Sequence, residues 1–200
     1  MSSVRRPTAS RGQFETNLLR EKVFRLIGER SFRKGRFMLV SGRESNYYLD
    51  LKPTMFHPEA ADALTELILD RLADMRVDYV GGLALGAVPL VSTVTLLSHR
   101  RGTPIGGFFV RKEVKDHGTK KRVDGLGPNE TLAGKRVVIL DDVTTTGGSA
   151  MVAIESAQEL GAEIVLVLAV VDREEGATEF YRDRGLPFAA LFTASEFLAA

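Results

Sequence analysis

Apolar residues recur along this chain first at helical spacing, then in short extended runs, then in a regular alternation of strand and helix. Leu19, beside Leu18, stands four residues before Val23, and Val23 and Phe24 stand four and three before Ile27, so Phe14 to Phe32 is expected to form an amphipathic helix. The extended runs Phe37–Val40 and Tyr47–Leu51 follow, split by Ser41, Gly42 and Arg43, and read as a hairpin. Pro58 is placed to open the next helix, because the N–H it lacks would go unpaired at a first helical position anyway. Leu64, Leu67, Ile68, Leu72 and Met75 give that helix a single apolar face.

From Tyr79 onward strands and helices take turns. Strands are expected over Tyr79–Leu85, Ile105–Val110, Arg136–Leu140, Ile164–Val171 and Phe188–Phe192, with helices over Pro89–His99, Ser149–Leu160 and Ala177–Arg184. Val137 to Leu140 and Ile164 to Val171 are apolar without a break, as strands are when helices cover both faces of their sheet. The fold class expected is therefore α/β, with a central, mostly parallel sheet flanked by helices. Ligands of such sheets lie beyond the carboxyl ends of the strands, which directs the search for chemistry to the residues following each strand.

Composition narrows the picture. Two hundred residues fit one domain with at most a small appendage, and 44% hydrophobic content supplies a sizeable core. A net charge of +1 gives no bulk preference for nucleic acid or anionic membrane, so neither is expected as a partner. The absence of cysteine excludes disulfides, thiolate metal sites and a cysteine nucleophile, and fits a cytoplasmic protein. The longest apolar run, around Ile164–Val171, falls well short of the roughly 20 residues of a membrane-spanning helix. Residues 1–13 carry Arg5, Arg6 and Arg11 among small polar residues and are expected to form a disordered or loosely held arm ahead of a single domain over 14–200.

The densest chemistry follows Leu140, in Asp141-Asp142-Val143-Thr144-Thr145-Thr146-Gly147-Gly148-Ser149. Two glycines let a ligand approach the main chain. The N–H groups of Thr145 to Ser149 and the positive end of the following helix suit a phosphate monoester, with three hydroxyls as further donors. Asp141 and Asp142 would repel that phosphate but suit sugar hydroxyls or a magnesium ion, so a sugar phosphate is the expected ligand. Neither the glycine, four residues, Gly-Lys-Ser/Thr string of a nucleotide P-loop nor Gly-x-Gly-x-x-Gly occurs.

Two further segments stand beyond strand ends. Arg111 to Arg122 holds six Lys or Arg against two acids, in a long loop suited to a lid that neutralises a departing anion and excludes water. Asp172-Arg173-Glu174-Glu175-Gly176 presents a guanidinium that can grip a carboxylate through two parallel bonds.

The segment Val137 to Ser149 resembles the phosphoribosyl-pyrophosphate motif of the type I phosphoribosyltransferases: an apolar strand, two acids and a Thr/Gly-rich loop. Within that family, Arg111-Lys112-x-x-Lys115-x-His117-Gly118 is similar to the flexible loop of the orotate phosphoribosyltransferases, and Asp172-Arg173-x-Glu175-x-Gly176 to a motif whose arginine binds the orotate carboxylate region. Ser41 to Asp50 resembles the segment that forms a hood over the base. The resemblance implies a type I fold with a hood from about residues 14–55 and the C-terminal segment on a core over about 56–195. It implies magnesium-dependent transfer of ribose 5-phosphate from phosphoribosyl pyrophosphate to orotate, giving orotidine 5′-monophosphate and pyrophosphate in UMP synthesis.

On that reading Asp141, Asp142, Val143, Thr144, Thr145, Thr146, Gly147, Gly148 and Ser149 bind the ribose phosphate, and Arg111, Lys112, Lys115 and His117 bind pyrophosphate. Thr145 and Arg173 meet orotate, and Lys115, Asp141 and Asp142 serve catalysis. Magnesium is held mainly by substrate and water rather than by the protein. The partner is a second copy, whose basic loop reaches the neighbouring site. Val40 and Gly86 stand where some relatives carry lysine, and Lys52 is near enough in sequence to make up for the first. The alternatives are a phosphoribosyltransferase for another base and a non-enzymatic sensor of phosphoribosyl pyrophosphate.

Overall fold

A computed structural model describes residues 12–38, 42, 44–112 and 122–200. The arm expected over 1–13 lies outside them as far as residue 11, as do Val40, Ser41, Arg43, Lys115 and His117.

Helix α1 (Gln13–Arg30) buries Val23, Leu26 and Ile27 on one stripe. It stops short of the expected Phe32 because that ring leaves the helix to stack on Tyr47 (5.3 Å) and Phe197 (5.4 Å). Strands β1 (Phe32–Met38) and β2 (Glu44–Leu49) then form an antiparallel sheet of their own, in register from Phe32↔Leu49 to Met38↔Glu44. The hairpin is as expected, but its first strand starts earlier than Phe37. Arg33, Lys34, Gly35 and Arg36 are exposed, so these strand residues carry no apolar pattern.

A short helix α2 (Lys52–Met55), which no periodicity announced, leads to α3 (Pro58–Leu72), opened by Pro58 and burying Leu64, Leu67, Ile68 and Leu72. Strand β3 (Tyr79–Gly81) is shorter than expected. After it Leu83 makes a single bridge to Val110 and the chain turns, with the Ala87 N–H on the Leu83 carbonyl (3.1 Å), into α4 (Val88–Arg100).

The strand expected over Ile105–Val110 divides in two. β4 (Gly106–Gly107) pairs parallel with β3, whereas β5 (Phe109–Val110) pairs antiparallel with β6 (Val123–Asp124). Phe108 sits between them, 1% exposed, with its ring over Gly81, where a Cβ would come within 2.2 Å of it. Its burial is where the chain steps from one sheet to the other.

Strand β7 (Arg136–Thr144), helix α5 (Gly148–Glu159), β8 (Glu163–Asp172), α6 (Ala177–Arg182), β9 (Phe188–Thr193) and α7 (Ala194–Ala199) complete the chain. The central sheet has the order β4-β3-β7-β8-β9 with every pairing parallel. Alternation along its apolar strands builds a core on each face. Val138 and Leu140 pack with α1, α3 and α4, while Val137 and Ile139 pack with α5, α6 and Phe108. Helix α7, opened by a capping box of Thr193 and Glu196, returns to the N-terminal layer: Phe197 stacks on Phe24 (4.3 Å) and Arg20 binds Glu196 (2.5 Å).

Candidate active site

Strand β7 does not end where its apolar run ends. It pairs with β8 as far as Thr144↔Asp172, so Asp141 and Asp142 are strand residues, and the expected Arg136–Leu140 is extended by four. A strand sends successive side chains to opposite faces. Asp142 accordingly lies on the α3–α4 side, its carboxylate against Gly86 and within the field of Lys52. Asp141 lies on the α5–α6 side, where its charge raises the pKa of Tyr181.

Burial pushes the Asp141 carboxyl up to about 7, with the negative charge of Asp142 adding to it. Asp142 is also raised, chiefly by burial, against the lowering effect of the Val143 backbone and of Lys52. Lys52 bonds Asp50 (3.0 Å), which together with the charge of Asp142 raises its own pKa over the opposing effect of burial. A side chain at Gly86 would require the Asp142 carboxylate to move, because a Cβ there would lie 2.5 Å from Asp142 Oδ1.

Beyond Thr144 the chain makes a three-residue turn into α5. Gly147 takes a left-handed conformation (φ +84°), and its Cα is pressed against the rings of Phe180 and Tyr181, 2.8 and 3.0 Å from where a Cβ would stand. The first four N–H groups of α5 have no intrahelical acceptor, and no side chain caps them. Thr145, Thr146, Gly148 and Ser149 are exposed around them, whereas Val143 and Thr144 are at least partly buried. The result is an open, positively polarised end that suits a phosphate.

The neighbouring strand delivers the basic turn. The Arg173 N–H donates to the Thr144 carbonyl (3.0 Å), which fastens this turn directly to the root of the phosphate loop. The Arg173 side chain is only 10% exposed. Its Nε donates to Glu175 (2.9 Å), its Nη2 reaches Ser45 Oγ (3.5 Å), and its guanidinium lies over the Tyr47 ring at 4.6 Å. Strand β2 thus closes over the turn. Glu174 occupies the left-handed region (φ 61°), held there by its N–H on Asp172 (2.8 Å) and by its carboxylate accepting from the Ser195 N–H (2.9 Å) and hydroxyl (3.1 Å).

Arg111 and Lys112 leave β5 next to the Leu83–Ala87 turn that carries Gly86, since the Ala84 N–H donates to the Val110 carbonyl (2.8 Å). Lys112 is exposed, but Arg111 donates through Nε to Asp124 across the β5–β6 hairpin. The structure therefore brings together Asp141 to Ser149, Arg173 and the root of the basic loop. The part of that loop bearing Lys115 and His117 lies outside the described residues. Glu175 is legible in the sequence only as part of the Asp172-Arg173-x-Glu175-x-Gly176 motif, whereas neither Asp124 nor Tyr181 carries a sequence signal for its place at the site.

No family model matches the chain. A protein of Bradyrhizobium diazoefficiens named orotate phosphoribosyltransferase is 55% identical over 181 residues, spanning 90% of this chain and 97% of that one. The chain belongs to the orotate phosphoribosyltransferase family. The crystal structure of the Mycobacterium tuberculosis orotate phosphoribosyltransferase with Fe(III) dicitrate matches with a TM-score of 0.77 at 35% identity, over 90% of this chain and 98% of that one. The same protein in complex with 5-phospho-alpha-D-ribosyl 1-diphosphate gives a TM-score of 0.73 at 32% identity, again over 90% and 98%. Family membership agrees with the type I phosphoribosyltransferase fold expected from the motifs, with its all-parallel five-stranded sheet and flanking helices.

Proposed function

We propose that this chain is an orotate phosphoribosyltransferase, a pentosyltransferase that moves ribose 5-phosphate from phosphoribosyl pyrophosphate to orotate in the synthesis of UMP. The observation that carries this reading is the bond from the Arg173 N–H to the Thr144 carbonyl. A ligand held by its phosphate at Thr145, Thr146, Gly147, Gly148 and Ser149 has, one strand away, a nearly buried guanidinium to receive a carboxylate-bearing ring. Shared family membership with the protein solved in complex with 5-phospho-alpha-D-ribosyl 1-diphosphate supports the phosphoribosyl half.

In the reaction the bond from ribose C1 to pyrophosphate breaks with its electron pair leaving on pyrophosphate, and the orotate ring nitrogen bonds C1 and gives up its proton. Positive charge builds on the ribose as the bond breaks. Asp141 and Asp142, from opposite faces of β7, hold the ribose hydroxyls and steady that charge, while Val143 and Thr144 carry the chain into the phosphate loop. Thr145 sits between phosphate and base. Arg173 orients orotate against Tyr47 beneath the hood, which we place at about residues 14–55 with the C-terminal segment on a core over about 56–195.

Among the described residues no group of three or more acidic or histidine side chains converges as a protein-built metal cage would. Two adjacent carboxylates beside a phosphate loop do suit magnesium, which keeps its waters and travels with substrate phosphates. When bound with the substrate it would offset the charge of the pyrophosphate. Arg111, Lys112, Lys115 and His117 bind the leaving group from the neighbouring subunit of a homodimer. Arg111 reaches it by exchanging Asp124 for phosphate oxygens. Exposed Met38, Tyr48, Phe56 and Leu85 offer apolar surface for that second copy. A cysteine-free chain in which no described helix is long and apolar enough to cross a membrane fits work in the cytoplasm.

The test is a magnesium-dependent assay that follows loss of orotate absorbance with phosphoribosyl pyrophosphate present. Orotate is expected to be preferred over uracil, adenine, hypoxanthine and nicotinate. No turnover by a folded dimer overturns the reading in favour of a sensor of phosphoribosyl pyrophosphate. Lys115→Ala is expected to lower kcat by about 100-fold while changing the dissociation constant of orotate less than about twofold, since a lid cation acts on charge that develops only as the bond breaks. An unchanged rate removes Lys115 from the lid.

A further inference from the structure

Behind the phosphate loop, on the side away from solvent, stands a tyrosine that neither the sequence motifs nor the mechanism uses. Tyr181 is fully buried in the last turn of α6, stacked on Phe188 (4.9 Å) and edge-on to Phe180 (5.4 Å). Its hydroxyl donates to the Gly147 carbonyl at 3.0 Å. A buried carbonyl needs a partner, but this one has a directional consequence as well. The Gly147–Gly148 peptide is a trans peptide, in which the C=O of Gly147 and the N–H of Gly148 point in opposite directions. A carbonyl drawn inward to Tyr181 turns the Gly148 N–H outward, to the open end of α5. Gly147 (φ +84°) has no Cβ to limit its backbone, so the peptide plane needs an external anchor.

We propose that Tyr181 is a positioning residue for the phosphate loop, its hydroxyl fixing the Gly147–Gly148 peptide so that the Gly148 N–H faces the phosphate of the ligand. This rests on the reading of that loop as the 5-phosphate site. Tyr181 touches no substrate; it acts through the peptide it holds. Helix α6 begins at Ala177 behind its N-cap Gly176, directly after the Arg173 turn, so one short helix carries a support for the phosphate loop at its far end and follows the base-binding turn at its near end.

The test is calorimetric titration of the full chain with ribose 5-phosphate. Tyr181→Phe removes one oxygen and leaves the ring packed between Phe180 and Phe188. It is expected to weaken ribose 5-phosphate binding about tenfold and to raise the KM for phosphoribosyl pyrophosphate by a similar factor, with kcat within about twofold. Phe188→Leu loosens the same aromatic cluster but keeps the hydroxyl. It is expected to lower Tm and leave ribose 5-phosphate affinity as in the wild type. Wild-type affinity in Tyr181→Phe overturns the proposal, and so does an equal loss of affinity in both variants, which would make the effect one of packing. A wild-type protein that binds no ribose 5-phosphate overturns the phosphate-site reading itself. Independently of any variant, the Gly148 amide proton of the wild type is expected to move downfield on saturation with ribose 5-phosphate, and an unmoved Gly148 resonance also overturns the proposal.

Discussion

Asp141 and Asp142 show how far residue identity alone carries. As letters they are an equivalent pair; as strand residues they face opposite sides of the sheet, and Asp141 is the one whose carboxyl is pushed up to about 7. Because its folded pKa stands above the roughly 3.9 of an unfolded aspartate, the folded protein holds an extra proton between those values. Stability therefore falls as pH rises from about 4 to about 7 and is lowest above it, where Asp141 is ionised in both states. Asp141→Asn is expected to flatten that slope and to raise Tm at pH 8 by a few degrees over the wild type, on the order given by a ~1 kcal/mol change in a chain of this size. Calorimetric scans of both proteins from pH 5 to pH 8 without ligand check this. Parallel profiles would show that another group titrates. Arg111 gives the same lesson with the opposite sign: its type pointed to an anion, but its partner Asp124 is set by strand register across a hairpin, which residue spacing does not encode.

At the scale of elements, legibility followed length. Helix α3 and the apolar stretches of β7 and β8 carry enough periods, or a long enough apolar run, to be read from the chain. Strands β4, β5 and β6 have two residues each, and α2 has four, so their existence depends on partners rather than on pattern. The polar end of β7 was hidden for a different reason. Its ladder with β8 continues through Asp141 to Thr144 because backbone pairing is indifferent to side-chain polarity, while apolarity stops at Leu140. The turn between β3 and α4 has functional weight only in three dimensions, where Gly86 lies against Asp142. Gly86→Ala is expected to cut kcat/KM by at least about tenfold, because its methyl group must displace the Asp142 carboxylate, a misplacement of the kind that costs catalysis more than folding. Steady-state kinetics beside a melting curve distinguish the two. Full activity in this variant would mean that the position of Asp142 is not used.

At the scale of the whole molecule, the two ends of the proposed reaction are unequally placed within one chain. The phosphate loop and the Arg173 turn are bonded to one another through Thr144, so every subunit carries them as a unit. The basic loop leaves the core between β5 and β6, and on the proposed reading it serves the site of the neighbouring subunit. Mixing variants resolves this. Lys115→Ala spoils the lid and leaves the base turn whole; Arg173→Ala spoils the base turn and leaves the lid whole. If the lid serves the partner's site, a mixed dimer has one site in which both are intact and one in which both are lost. Equal amounts exchanging at random give half mixed dimers, so activity should recover to about a quarter of the wild type from two nearly inactive proteins. If each lid covers its own subunit, every site in the mixture lacks one group, and activity stays at the average of the two variants however long the subunits exchange.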